Sequence, residues 1–172
     1  DSATIEALGS GIWDHLRSLR IDGGYPHTTD FDSASARALA VALRRMPALR
    51  MLELGCMMLP DASSSELFHA SSAEAMPQLR SLTVSNASLT PAAARMIAAT
   101  GWRLEELDLG DNANLGITGL AALLAAPTFV LNTLRLEKCG LDAAALLSVA
   151  NAPWPPEKLY LTYNNFSAAA PA

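Results

Sequence analysis

The short pattern L-x-x-L-x-L recurs along the chain, and it constrains the fold more than any other feature. Two nearly superimposable segments expose it, MPALRMLEL at residues 46–54 and MPQLRSLTV at residues 76–84. Six copies align on it: Leu16, Leu19 and Ile21; Leu49, Leu52 and Leu54; Leu79, Leu82 and Val84; Leu104, Leu107 and Leu109; Leu131, Leu134 and Leu136; and Pro156, Leu159 and Leu161. The central leucines are 33, 30, 25, 27 and 25 residues apart. Each L-x-L alternates with period 2, as a strand does. The stretches between them are rich in Ala and Leu at helical spacing, as in LAALLAA (120–126) and AALLSVA (144–150). A unit of one strand and one helix cannot bury its own apolar face, so the units must stack.

Start and stop signals recur at fixed points of the repeat. Thr90 before Pro91 reads as a helix cap with Pro at the first helical position. Thr118, Asp142 and Ser167 follow Ile117, Leu141 and Phe166 and are expected to cap the helices there. Pro47, Pro77, Pro127 and Pro153 fall just before strands, where a helix must have ended. Trp13, Trp102 and Trp154 share a place shortly before a strand and are expected to pack at the helix-to-strand corner.

After the strand, the fifth copy continues as LNTLRLEKCGL, with Cys139 and then Leu141. The sixth has Asn164 and Phe166 at these places, and the fourth has Asn112 and, one residue late, Leu115. The second and third carry Met57 and Ala87, with Cys56 and Asn86 one place earlier. The chain thus resembles the leucine-rich-repeat family, whose pattern is L-x-x-L-x-L-x-x-N/C-x-L, in its ribonuclease-inhibitor-like type. The resemblance implies an α/β fold: a curved solenoid with a parallel β-sheet on the concave face and α-helices on the convex face. Asn112 and Asn164 are expected to bond backbone inside the turns. The reading is one domain over residues 1–172. Neither end carries a polar capping repeat, so the chain is expected to belong to a longer protein or an assembly. Residues 5–8 read as the tail of an earlier helix, and Ser167 as the start of another.

Composition excludes several classes. Hydrophobic residues make up 51%, enough for a core, but aromatics only 6%, so aliphatic side chains must build it. No apolar run approaches the ~18–20 residues of a spanning helix, so membrane insertion is not expected. A net charge of −5 argues against nucleic acid as a partner. Two cysteines do not make a disulfide scaffold, and no signal peptide is evident, so an intracellular, cytoplasmic setting is expected.

No phosphate loop, dinucleotide fingerprint, nucleophile elbow or zinc-helix motif is present. Cys56 and Cys139 are three strand spacings apart, ~14 Å, beyond the ~7 Å reach of a disulfide. His15, His27 and His69 occupy unlike places and are not expected to converge on a metal. Glu105, Glu106, Asp108 and Asp111 cluster on the fourth repeat, but an open sheet offers little of the desolvation that tunes catalytic carboxylates. No enzyme activity and no cofactor are therefore expected.

What remains is the sheet's free face, read as columns. One holds Arg17, Arg50, Arg80, Glu105, Asn132 and Glu157. The next holds Arg20, Glu53, Thr83, Asp108, Arg135 and Tyr160. A third holds Asp22, Gly55, Ser85, Gly110, Glu137 and Thr162, with Lys138 and Tyr163 beyond. Arg80 with Glu105, Arg20 with Glu53, and Asp108 with Arg135 are expected to form an ion ladder. The same columns are the candidate surface for a protein partner or for subunits of a larger assembly. On that reading the chain is an interaction module: an adaptor, receptor arm or scaffold subunit. The alternative implied by the resemblance is a substrate-binding or regulatory arm of an enzyme, such as a ubiquitin-ligase receptor or effector, whose catalytic part lies elsewhere. A second alternative places the partner on the Ala-rich convex helices.

Overall fold

A computed structural model describes residues 2–24 and 31–167. Six strands alternate with helices: α1 (Ser2–Ser10), β1 (Ser18–Asp22), α2 (Ser33–Leu43), β2 (Met51–Gly55), α3 (Asp61–Ala70), β3 (Ser81–Ser85), α4 (Pro91–Ala99), β4 (Glu106–Asp108), α5 (Gly116–Leu124), β5 (Thr133–Arg135), α6 (Ala143–Ala150) and β6 (Lys158–Tyr160). All strands form one parallel sheet in sequence order. The fold is the α/β arrangement of a leucine-rich-repeat solenoid, in which each helix returns the chain to begin the next parallel strand.

Pairing sets Leu19, Leu52, Leu82, Leu107, Leu134 and Leu159 side by side. Leu52, Leu82, Leu107 and Leu134 are fully buried, and so are Leu49, Leu79 and Leu104 below them and Leu54, Val84, Leu109 and Leu136 above. Burying one such side chain contributes ~1.5–3 kcal/mol, which makes these rows the main source of stability. The row does not stay buried to its end: Leu159 is 37% exposed, because β6 has a neighbour on one side only among the described residues.

Thr90 caps α4 by accepting from the amides of Ala92 and Ala93, and Asp142 caps α6 through those of Ala144 and Ala145. Asp32 does the same for α2 through Ser35. Each such cap is worth ~1 kcal/mol. Thr118 is not a cap. Helix α5 starts two residues earlier, directly after Leu115, which has no side-chain capping bond. The extra residue in that turn brings Leu115 into the core, and the helix follows at once. Residues 5–8 lie in α1, while the helix expected from Ser167 onward falls outside the described residues, as does His27.

The tryptophans pack at the corners. Trp102 is buried edge-on against Phe68, with centroids 6.3 Å apart. Trp154 meets Phe129 in a similar way, and Trp13 donates to the Leu8 carbonyl at 2.7 Å.

Five turns leave the sheet with one shared geometry. Cys56, Asn86, Asp111, Lys138 and Tyr163 have φ of 51°, 50°, 60°, 51° and 62°. Each stands immediately before the turn slot occupied by Met57, Ala87, Asn112, Cys139 or Asn164. Cys56 and Asn86 therefore hold the left-handed position, not the slot. Asn and Asp tolerate that conformation through local hydrogen bonding.

In the slot, Asn112 accepts from the amides of Ala87 and Leu89 and donates to the carbonyls of Val84, Leu109 and Gly110. Asn164 repeats this one register later. It accepts from Cys139 and Leu141 and donates to Leu136 and Leu161. Between them the Cys139 thiol donates to the Leu109 carbonyl at 3.0 Å. Asn112, Cys139 and Asn164 thus each stitch their own turn to the preceding one. After the fifth slot Gly140 lies at φ 65°, where an added Cβ would sit 2.2 Å from the Ala113 carbonyl oxygen, so the stacking distance itself demands glycine.

Candidate functional site

Alternation about the buried leucines decides what the free face presents. The middle column is Arg20, Glu53, Thr83, Asp108, Arg135 and Tyr160, one residue per strand in direct register. A second column, which reading the repeat from its first leucine misses, is Ser18, Met51, Ser81, Glu106, Thr133 and Lys158. The period-2 signal around the central leucine was enough to find it.

Arg17, Arg50, Arg80 and Glu105 each stand one residue before β1, β2, β3 and β4. Their backbones form a ladder: Arg50 N–H bonds Arg17 O at 2.8 Å, Arg80 N–H bonds Arg50 O at 2.9 Å, and Glu105 N–H bonds Arg80 O at 2.8 Å. They line the rim where strands enter the sheet. Arg80 is turned back into that rim, donating to the carbonyls of Leu79 and Pro77, with its Nε 3.6 Å from Glu105.

Two of the three expected ion pairs form. Arg80 reaches Glu105, and Arg20 sits 3.4 Å from both Glu53 and Asp22. Exposed pairs of this kind contribute ~0.2–1 kcal/mol. Arg135 and Asp108 are register neighbours but do not pair. The guanidinium instead lies 4.0 Å over the ring of Tyr160, a cation–π contact. Lys138 pairs with Asp111 at 2.8 Å and approaches the Tyr163 ring at 5.5 Å. Tyr163 is 79% exposed.

The electrostatics differ along the face. Asp22 is held below the ordinary carboxylate range by the Gly24 amide and by Arg20. Asp108 is pushed up, first by burial and also by the nearby charge of Glu137, against the pull of the Gly110 amide. An open sheet was expected to offer little desolvation, yet Asp108 is half-buried between the β3 and β5 columns. A hollow of about 470 Å³ lies above it, bounded by Glu137, Lys138 and Tyr163. A second of about 320 Å³ lies toward Arg20, Glu53 and Cys56. Among the described residues no three His, Cys, Asp or Glu side chains are grouped to hold a metal. His69 is exposed on α3 beside Ser65, and His15 is exposed before β1. The arrangement offers charge, aromatic rings and open hollows for contact.

Both cysteines are free. Burial pushes the Cys139 thiol up to about 12. A thiol raised in the folded state stays protonated through neutral pH, so its contribution to stability is complete below about 9 and is lost as pH climbs toward 12. Alkylation at pH 8 followed by mass spectrometry is expected to leave Cys139 unmodified in the folded protein. Denaturation without reductant is expected to release two titratable thiols, and a count of zero would contradict the free-thiol state.

No helix among the described residues is long and apolar enough to cross a membrane. No family model matches the sequence. Among curated proteins the chain is similar to a ribonuclease inhibitor of Sus scrofa, 34% identical over 151 residues. The match covers 83% of this chain and 32% of that protein, so the chain spans about a third of the length of the relative it matches. The likeness supports a leucine-rich-repeat-like family and agrees with the alternating strands and helices of the fold.

Proposed function

We propose that the chain is a non-enzymatic protein–protein interaction module, an adaptor, receptor arm or scaffold subunit, built from six leucine-rich repeats. It binds its partner through the concave, free face of the sheet. The observation that carries this reading is the C-terminal half of that face, where Arg135 on Tyr160 and Lys138 beside Tyr163 present aromatic rings next to the hollow above Asp108. Tyrosine and arginine are among the side chains in which binding energy concentrates at interfaces. The name of the similar protein, an inhibitor of ribonuclease, also speaks of a protein target and supports a protein partner here.

The test is affinity capture with the full-length protein, identification of what binds, and titration of that partner. Replacing Arg135, Tyr160 and Tyr163 together by Ala is expected to weaken binding at least about tenfold, ~1.4 kcal/mol, with the thermal midpoint little changed. Replacing Arg20 and Glu53 by Ala is expected to act mainly on the association rate and its salt dependence. Arg95, exposed on α4, serves as the helix-side control. Equal affinity for the triple variant and the unaltered chain would retire the free face as the site.

A further inference from the structure

Cations are unevenly satisfied in this acidic chain. Arg20, Arg37, Arg80 and Lys138 each sit on a carboxylate, and Arg135 sits on Tyr160. Arg17, Arg45 and Arg50, like Arg95, Arg103 and Lys158 elsewhere, are exposed and form no ion pair among the described residues. Arg17 and Arg50 share the strand-entry rim at the β1–β2 end, and Arg45, just after α2, lines the hollow beside that rim. The segment before β1 and the segment before β2 run side by side there, joined by the Arg50 N–H to Arg17 O bond.

The rim is firmly built. The Leu16 amide bonds Trp13 O at 3.0 Å, the Leu49 amide bonds Met46 O at 3.0 Å, and the Trp13 indole is tied to α1. Between the two segments lies a hollow of about 340 Å³ bounded by Ile12, Trp13, Arg45 and Pro47, with Asp14 the carboxylate in its lining. Ile12 is 87% exposed beside it, a large aliphatic side chain left in water next to unpaired positive charge. In a protein of net charge −5, neighbouring arginines repel unless an anion comes to them.

We propose that this rim is a second interaction surface, separate from the free sheet face, and that it takes an acidic protein segment carrying an aliphatic residue. The carboxylates of the segment meet Arg17, Arg45 and Arg50, and its aliphatic side chain covers Ile12 at the hollow. Charge complementarity selects the segment and the apolar contact distinguishes it from a bare polyanion.

The probe is a fluorescein-labelled Glu/Asp-rich peptide with one central Leu, followed by anisotropy at low and physiological salt. A peptide with Glu in place of that Leu and a single-stranded oligonucleotide of equal charge are run beside it. The full-length protein is expected to bind the Leu peptide most tightly, with affinity falling as salt rises. Reversing the three charges together (Arg17→Glu, Arg45→Glu, Arg50→Glu) is expected to weaken it at least about tenfold. Ile12→Ser is expected to remove the advantage of the Leu peptide alone, and Arg95→Glu to leave binding unchanged. Circular dichroism checks that each variant is folded. Absence of binding at low salt, equal loss with Arg95→Glu, or equal retention of the oligonucleotide with no effect of Ile12→Ser would overturn the proposal. Because the peptide reports on the rim alone, these outcomes leave the free-face reading to its own test.

Discussion

Asn112→Ala is expected to destabilise the protein by about 3–5 kcal/mol, out of proportion to the three heavy atoms removed. The Asn112 side chain has no solvent exposure, and its loss strips the amides of Ala87 and Leu89 of their acceptor and three carbonyls of a donor. Each buried N–H left without a partner costs ~1–3 kcal/mol. Asn112→Asp keeps the acceptor but loses both donors and buries a carboxylate. Its folded pKa must rise, so its deficit is expected to be largest at neutral pH and to shrink as pH falls. Urea denaturation reads both: the midpoint drops while the slope stays near its original value. A loss below about 1 kcal/mol for Asn112→Ala would mean that the turn stitching is not a structural element.

Leu107→Ala is expected to cost ~2–5 kcal/mol, the range for a buried leucine whose surroundings relax only partly around the cavity. Leu107 is 1% exposed at the centre of the sheet, flanked by Leu82 and Leu134. Leu159→Ala is the internal comparison. It removes the same atoms from the same row at a position 37% exposed, and is expected to cost less than half as much. Equal losses at the two positions would contradict the burial gradient along the row.

The strand rows were legible in the sequence because a repeat supplies several independent readings of one pattern, and the leucines at residues 52, 82, 107 and 134 all pack alike. The slot asparagines were legible for the same reason. Boundaries set by competition between side chains were not. Thr118 has the chemistry of a cap, but the burial of Leu115 starts α5 earlier. The exposure of Leu159 depends on what stacks beside it, which no local pattern encodes.

On the face itself, the Arg20-to-Tyr160 column followed directly from alternation. Arg17, Arg50 and Arg80 stand one residue before their strands, and alternation around the central leucine does not extend to them; Arg80 folds onto local carbonyls. Nor did residue type reveal that Arg135 would prefer the ring of Tyr160 to the carboxylate of Asp108. Adjacent columns bring both within reach of a long side chain, and only the rotamer chooses. The raised Asp108 likewise arises from neighbouring strands closing around it, a property of the sheet and not of its own segment.

Docking of a protein on the free face of the sheet, as proposed above, is read out by side-chain footprinting. Hydroxyl-radical labelling of the full-length protein, alone and with its captured partner, is read by mass spectrometry residue by residue. Protection of Tyr160, Tyr163 and Met51, which present rings and sulfur to the free face, is expected, with the exposed Val41, Leu146 and Leu147 on the helices labelled as before. Protection of the helix residues with Tyr160 and Tyr163 fully labelled would contradict docking on the free face.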